Sequence, residues 1–141
     1  NNLALAYWDL SKYTHKAIKQ KSRYQKNAVT AFEAALNINN LSGALSPMDS
    51  AAIYHCLGDV HAQMSETATS PADISDSLQK SLYSYVKSIE DLPTDSPAYP
   101  PRFGAIVANL RLHYDKLGLE GQQAALNRIP APLLPQVMMA L

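Results

Sequence analysis

Four side chains able to ligate a metal or attack an electrophile crowd into one short stretch: His55, Cys56, Asp59 and His61. His55 and Asp59 stand four residues apart, which on a helix puts both on one face. Two ligands do not complete a zinc site, which takes four at suitable spacing. The chain holds no second cysteine, and neither His15 nor His113 lies at a spacing that would supply the missing ligands. Cys56 borders an apolar stripe and reads as a small, partly buried residue, not a nucleophile. His61 reads as a packing residue. No glycine-rich phosphate loop, G-x-S-x-G or H-E-x-x-H occurs, and no two carboxylates pair on a buried face. The expectation is a chain without catalytic residues, metal or cofactor.

The second chemical feature is a row of cations. Lys12, Lys16, Lys19, Arg23 and Lys26 follow helical spacing with no acid among them, and Lys21 lies nearby. From Asn27 to Gln79 there is no lysine or arginine, against six acids: Glu33, Asp49, Asp59, Glu66, Asp73 and Asp76. One reading is a solvated helix face whose charges lie beside the acidic units. The other is a landing strip for an acidic protein, phospholipid head groups or nucleic acid, steered by the row of charge. Overall charge does not support a nucleic-acid partner, because 12 basic residues balance 12 acidic ones.

The elements that carry these residues follow from apolar spacing. The 141 residues suffice for one domain with a real core, and 47% apolar with 17% charged residues is a globular composition. One helical face runs through Leu3, Tyr7, Leu10, Thr14 and Ala17, and a second through Ala28, Ala31, Phe32, Ala35 and Leu36. Residues 37–43 read as a loop, with Gly43 suited to a positive-φ turn. Ser46-Pro47 and Ser70-Pro71 read as helix starts. Serine caps the orphan amides, proline occupies the first turn, and Asp49 and Asp73 add a carboxylate three residues on. Ser96-Pro97 is followed by Pro100 and Pro101, so the next helix is expected to begin several residues late. Buried stripes are then predicted at Ile53, Leu57, Val60 and Met64; at Ile74, Leu78, Leu82, Tyr85, Ile89 and Leu92; and at Phe103, Val107, Leu110, Tyr114 and Leu117. Gly118 follows as a C-cap. A short helix is expected over 120–128 and a last apolar turn or two over 135–141. Nothing alternates with period two, so the chain is expected to be all-α.

Self-comparison gives a period. Phe32 to Tyr85 and Leu57 to Leu110 are both intervals of 53 residues, and Ala28, Ala35 and His61 fall likewise on Ser81, Ser88 and Tyr114. Carried back, His61 falls on Trp8. Tyr54, Leu57, Gly58 and His61 resemble the W-x2-L-G-x2-Y first helix of the tetratricopeptide repeat. Ser81, Tyr85, Ser88 and Pro93, and more closely Ala28, Phe32 and Ala35, resemble its A-x3-F-x2-A second helix. Small residues let two helices approach while large ones fill the groove between them. The family's period is about 34 residues, so each unit here would carry about 19 more. The resemblance covers some two thirds of the chain. It implies an α-α superhelix of stacked antiparallel helical hairpins, at about 3–40, 46–93 and 97–141, the last incomplete. Some members of that family clamp acidic peptide C-termini. The corresponding positions here are Ala52, Cys56, Ala105 and Asn109, of which only Asn109 fits.

The functional expectation is a non-enzymatic scaffold or protein-interaction module, with a peptide or partner helix lying on a concave face. By the resemblance that face is lined by His55, Asp59, Gln63, Asn109, Asp115 and Lys116. Alternatives are a structural or oligomerisation segment that self-associates through the apolar end Val137-Met138-Met139-Ala140-Leu141, or an anionic-partner binder using Lys12–Lys26. A single cysteine fits an intracellular, cytoplasmic setting, and no apolar run approaches a membrane-spanning length. The chain reads as an excerpt of a longer protein.

Overall fold

The computed structural model of the chain describes residues 2–13, 18–43, 45–90 and 92–141, with the side chains at 11–13, 18, 19, 113 and 116 outside the description. Seven α-helices follow one another: α1 (Asn2–Tyr13), α2 (Ile18–Ser42), α3 (Pro47–Thr67), α4 (Pro71–Glu90), α5 (Tyr99–His113), α6 (Gly118–Asn127) and α7 (Leu134–Ala140). A 3-10 turn at Tyr114–Lys116 separates α5 from α6. Among the described residues there is no strand, and the fold is all-α.

The helix starts are built as their sequences predict. Ser46 Oγ accepts from the Asp49 amide at 3.1 Å and donates to the Asp49 carboxylate at 2.9 Å, closing a reciprocal cap. Ser70 Oγ accepts from the Asp73 amide at 3.1 Å. Ser96 caps no helix, and α5 starts late, at Tyr99, with no side-chain cap. Two expectations are corrected. Residues 37–42 are not a loop but the last turns of α2, which ends only where Gly43 adopts φ +64° and donates its amide to the Asn39 carbonyl at 2.6 Å. Asn39 explains the persistence. Its Nδ2 donates to Ser50 Oγ at 3.1 Å and its Oδ1 accepts from the Leu45 amide at 2.7 Å, so an intrinsically poor helix former is held by bonds to the following segment. The inward stripe of α1 is also rotated from the expected one. Ala4 and Trp8 are buried while Leu3 and Leu10 stand 61% and 48% exposed. The indole is the largest apolar surface in that helix, and its burial outweighs that of two leucines that lie on another face.

Helices α2 to α5 pack antiparallel, each against the next. Gln25 near the start of α2 meets Gln63 near the end of α3, while Asn39 near the end of α2 meets Ser50. Ser81 of α4 reaches back to both Gly58 of α3 and Asn109 of α5, and Ser88 meets Arg102. Apolar burial divides into two clusters. One joins Ala4 and Trp8 of α1, Ala28, Phe32 and Leu36 of α2, and Ile53, Leu57 and Val60 of α3. The other joins α4 through Leu78, Leu82, Val86 and Ile89 to Ile106 and Leu110 of α5, Ala125 of α6 and Val137 of α7.

Between the clusters lies a seam of small polar residues. Ser77, Ser81, Ser84 and Ser88 recur at steps of four, three and four along α4, and all are buried. Serine there lets α4 lie close to α3 and still bond. Ser81 Oγ donates to the Gly58 carbonyl at 2.8 Å, and Asn109 Nδ2 donates to Ser81 Oγ at 2.8 Å, so one hydroxyl ties three helices. Gly58 is required for the same closeness: a Cβ at that position would enter the Tyr85 ring. None of the described helices is long and apolar enough to cross a membrane.

Candidate functional site

An α-helix turns about 100° per residue, so Tyr54, Leu57 and His61 share one side of α3, and His55, Asp59 and Gln63 share the other. The second set includes three residues expected to line a binding face. Asp59 Oδ1 accepts from Tyr85 Oη at 2.6 Å, and Gln63 Oε1 accepts from Gln25 Nε2 at 2.8 Å. The His55 ring lies against Tyr85 with centroids 5.5 Å apart, and its Nε2 stands 3.7 Å from Asp59 Oδ2. The pKa of Tyr85 is pushed well up, first by burial and then by the neighbouring Asp59 charge. The phenol therefore keeps its proton and remains the donor throughout ordinary pH. This side of α3 is largely occupied by the chain's own contacts.

Of the other expected residues, Asn109 is 5% exposed and spends its amide on Ser81 inside the fold. Asp115 is exposed on the 3-10 turn. The side chain of Lys116 lies outside the described residues, as do those of Lys12 and Lys19 and the whole of Lys16. Arg23 and Lys26 are exposed on α2. Lys21 and Lys26 line a cavity of about 560 Å³ together with Asp73 and Asp76, which sets cations of α2 beside acids of α4. Among the described residues no three of His, Cys, Asp and Glu gather as a metal-ligand group.

The side of α3 that carries Tyr54, Leu57 and His61 forms the floor of a groove between α2 and α4. Its centre is a cavity of about 500 Å³ walled by Glu33, Asn37 and Asn40 of α2 and by Asp76, Gln79, Lys80 and Tyr83 of α4, with Arg128 beyond α6. Asp76 is shared with the 560 Å³ cavity at one end. Leu36, Asn40 and Tyr54 are shared with a cavity of about 320 Å³ at the other, where Met48, Lys87 and Glu90 stand. The three cavities thus adjoin one another in a row along α3.

Its walls hold polar atoms without partners. His61 is 6% exposed and its Nδ1 makes no hydrogen bond. Both Nε2 and Oε1 of Gln79 are buried and unbonded. Burial lowers the His61 pKa to about 4, helped by the Lys80 charge and countered in part by Asp76, so the imidazole is neutral at pH 7. Lys80 Nζ and Asp76 Oδ2 pair at 3.0 Å on the exposed rim. Neutral polar atoms closed off from solvent lie below, and charges of both signs stand exposed above. Sequence reading singled out His61 and Asp76 for other reasons and passed over Gln79, Tyr83, Asn40 and Arg128. No local signal marks Gln79. It becomes distinctive only once α2 is laid across from it. No protein-family model, curated protein or solved structure matches this chain.

Proposed function

We propose that this chain is a non-enzymatic, intracellular interaction module of tetratricopeptide-like hairpins, and that the groove over α3 receives a segment of another polypeptide. The observation that carries the reading is the row of three adjoining cavities along α3, between α2 and α4. The hairpin reading is supported by burial at equivalent positions. Ala28, Phe32 and Ser81 are fully buried and Tyr85 nearly so, its ring resting on Gly58. A concave-face site is less favoured, because Asp59, Gln63 and Asn109 already bond within the chain.

The test is selection of 12-residue peptides from a random displayed library on the folded chain, followed by calorimetric titration. Asn40 is exposed and stands where two of the cavities meet. Asn40→Trp should fill the groove and weaken selected peptides at least tenfold. Ala108→Trp, on exposed α5 surface, should change nothing. A selection that yields no binder, or binders indifferent to Asn40→Trp, defeats the reading.

A further inference from the structure

The outer face of α1 is apolar at the two places from which later helices reach back to the hairpin before them. Gln63 of α3 bonds to Gln25 of α2 at 2.8 Å, and Asn109 of α5 bonds to Ser81 of α4 at 2.8 Å. One 53-residue period back from Gln63 stands Leu10, and two periods back from Asn109 stands Leu3. Seven positions apart, these leucines share one face of α1. By the repeat, that face is the one a first helix turns toward a preceding second helix, yet Leu3 and Leu10 are 61% and 48% exposed. A hairpin whose outer face meets water keeps that face polar. Two leucines there fit contact with another apolar helix instead.

A matching face exists on α7. That helix holds no charged residue and buries only Val137, leaving Met138 and Met139 55% and 90% exposed, with Leu141 next to them at 38%. The same period carries Ser81 and Ser88, whose hydroxyl and carbonyl meet α5, to Leu134 and Leu141. Leucine at those places replaces the short polar groups that bond to a first helix and offers apolar contact, which is also what Leu3 and Leu10 offer. We infer that copies of this chain associate head to tail, α7 of one chain lying against the face of Leu3 and Leu10 on α1 of the next. The two faces differ, so the contact is heterologous, and copies add in a row or close into a ring. The inference rests on the hairpin reading proposed above and is independent of what the groove over α3 receives.

Sedimentation equilibrium on the 141-residue chain is the test. The average mass should rise with concentration from that of one chain to at least twice that value. A chain with Leu3→Glu and Leu10→Glu, and separately one with Met138→Glu and Met139→Glu, should each hold the mass of one chain at every concentration. All four side chains are exposed, so neither variant should melt earlier than the parent. Leu119→Glu, at an 86% exposed site on α6, should associate as the parent does. The deciding sample is an equimolar mixture of the two doubly substituted chains. Each retains the face that the other has lost, so the mixture should reach twice the mass of one chain and stop there. A parent, or a mixture, that stays at the mass of one chain overturns the inference. Association of the Met138 and Met139 variant by itself overturns it too, since like faces would then be pairing. Either result leaves groove docking to be judged separately, by the effect of Asn40→Trp on selected peptides.

Discussion

The two sides of α3 carry comparable polar side chains and have met different fates. On one side Asp59 is bonded to Tyr85 and Gln63 to Gln25, and His55 lies against the Tyr85 ring with only its Nδ1 buried and unbonded. On the other, His61 of α3 and Gln79 of the facing α4 leave three buried atoms unbonded. What separates them is how near the neighbouring backbone comes. Glycine at 58 and serine at 81 let α4 close onto α3 on the Tyr85 side, within reach of short hydrogen bonds. Opposite, α2 and α4 stand apart across a cavity of about 500 Å³. Polar residues alone therefore do not make a site. An unclosed gap between their carriers is what leaves a cavity here.

The comparison can be broken first at its tightest point. Gly58→Ala forces a methyl group into a ring that has no room to retreat. It should lower unfolding free energy by about 3 kcal/mol in urea titration, at the upper end of overpacking costs. A loss of a few tenths would mean that the Tyr85 side is not closed by this contact. Next is pH. His61 has an unperturbed pKa of 6.5 and a folded value of about 4. Between those values the unfolded chain holds a proton that the folded chain refuses, so acidification favours unfolding. Stability fully present above pH 6.5 falls toward pH 4 by about 1.4 kcal/mol per unit, or about 2 kcal/mol at pH 5. Urea midpoints at pH 7 and pH 5 should therefore differ less in His61→Phe than in the parent chain, and an equal difference would show the imidazole exposed.

Smaller effects sharpen the contrast. Tyr85→Phe keeps the ring on Gly58 and deletes only the donor to Asp59, which is partly exposed and can be hydrated instead. A loss of about 1 kcal/mol is expected by thermal denaturation. Gln79→Leu should be the mildest of the set. It removes two buried atoms that have no partner, so stability should stay within about 0.5 kcal/mol of the parent or rise. A drop of 2 kcal/mol would reveal a bond that Gln79 makes and would erase the difference between the two sides.

How far these features could be read in advance varies by residue. Ser46, Asp49, Ser70 and Asp73 announce their helix starts because a cap is a contact among residues three apart. The pairing of small positions 58 and 81 with the large ring at 85 was visible in the spacing. The α1 face was not, since Leu3-Tyr7-Leu10 and Ala4-Trp8 are both consistent helical stripes and the choice rests on what α2 and α3 offer the indole. Nor was the length of α2, where Asn39 is held helical by Ser50 and Leu45. Ser77 and Ser84 were overlooked as parts of the buried seam because serine reads as surface until a helix covers it.

Taken alone, the order of residues determined that this chain is all-α and where several of its helices begin. Those properties depend on groups within a few positions of one another. The tertiary structure decided which polar atoms find partners and which face an open groove. That depends on the distance between helices whose facing residues are 39 to 50 positions apart in the chain, from Glu33 and Asn40 of α2 to Gln79 and Tyr83 of α4. No local pattern encodes that distance, because it is set by the sum of all side chains wedged between them.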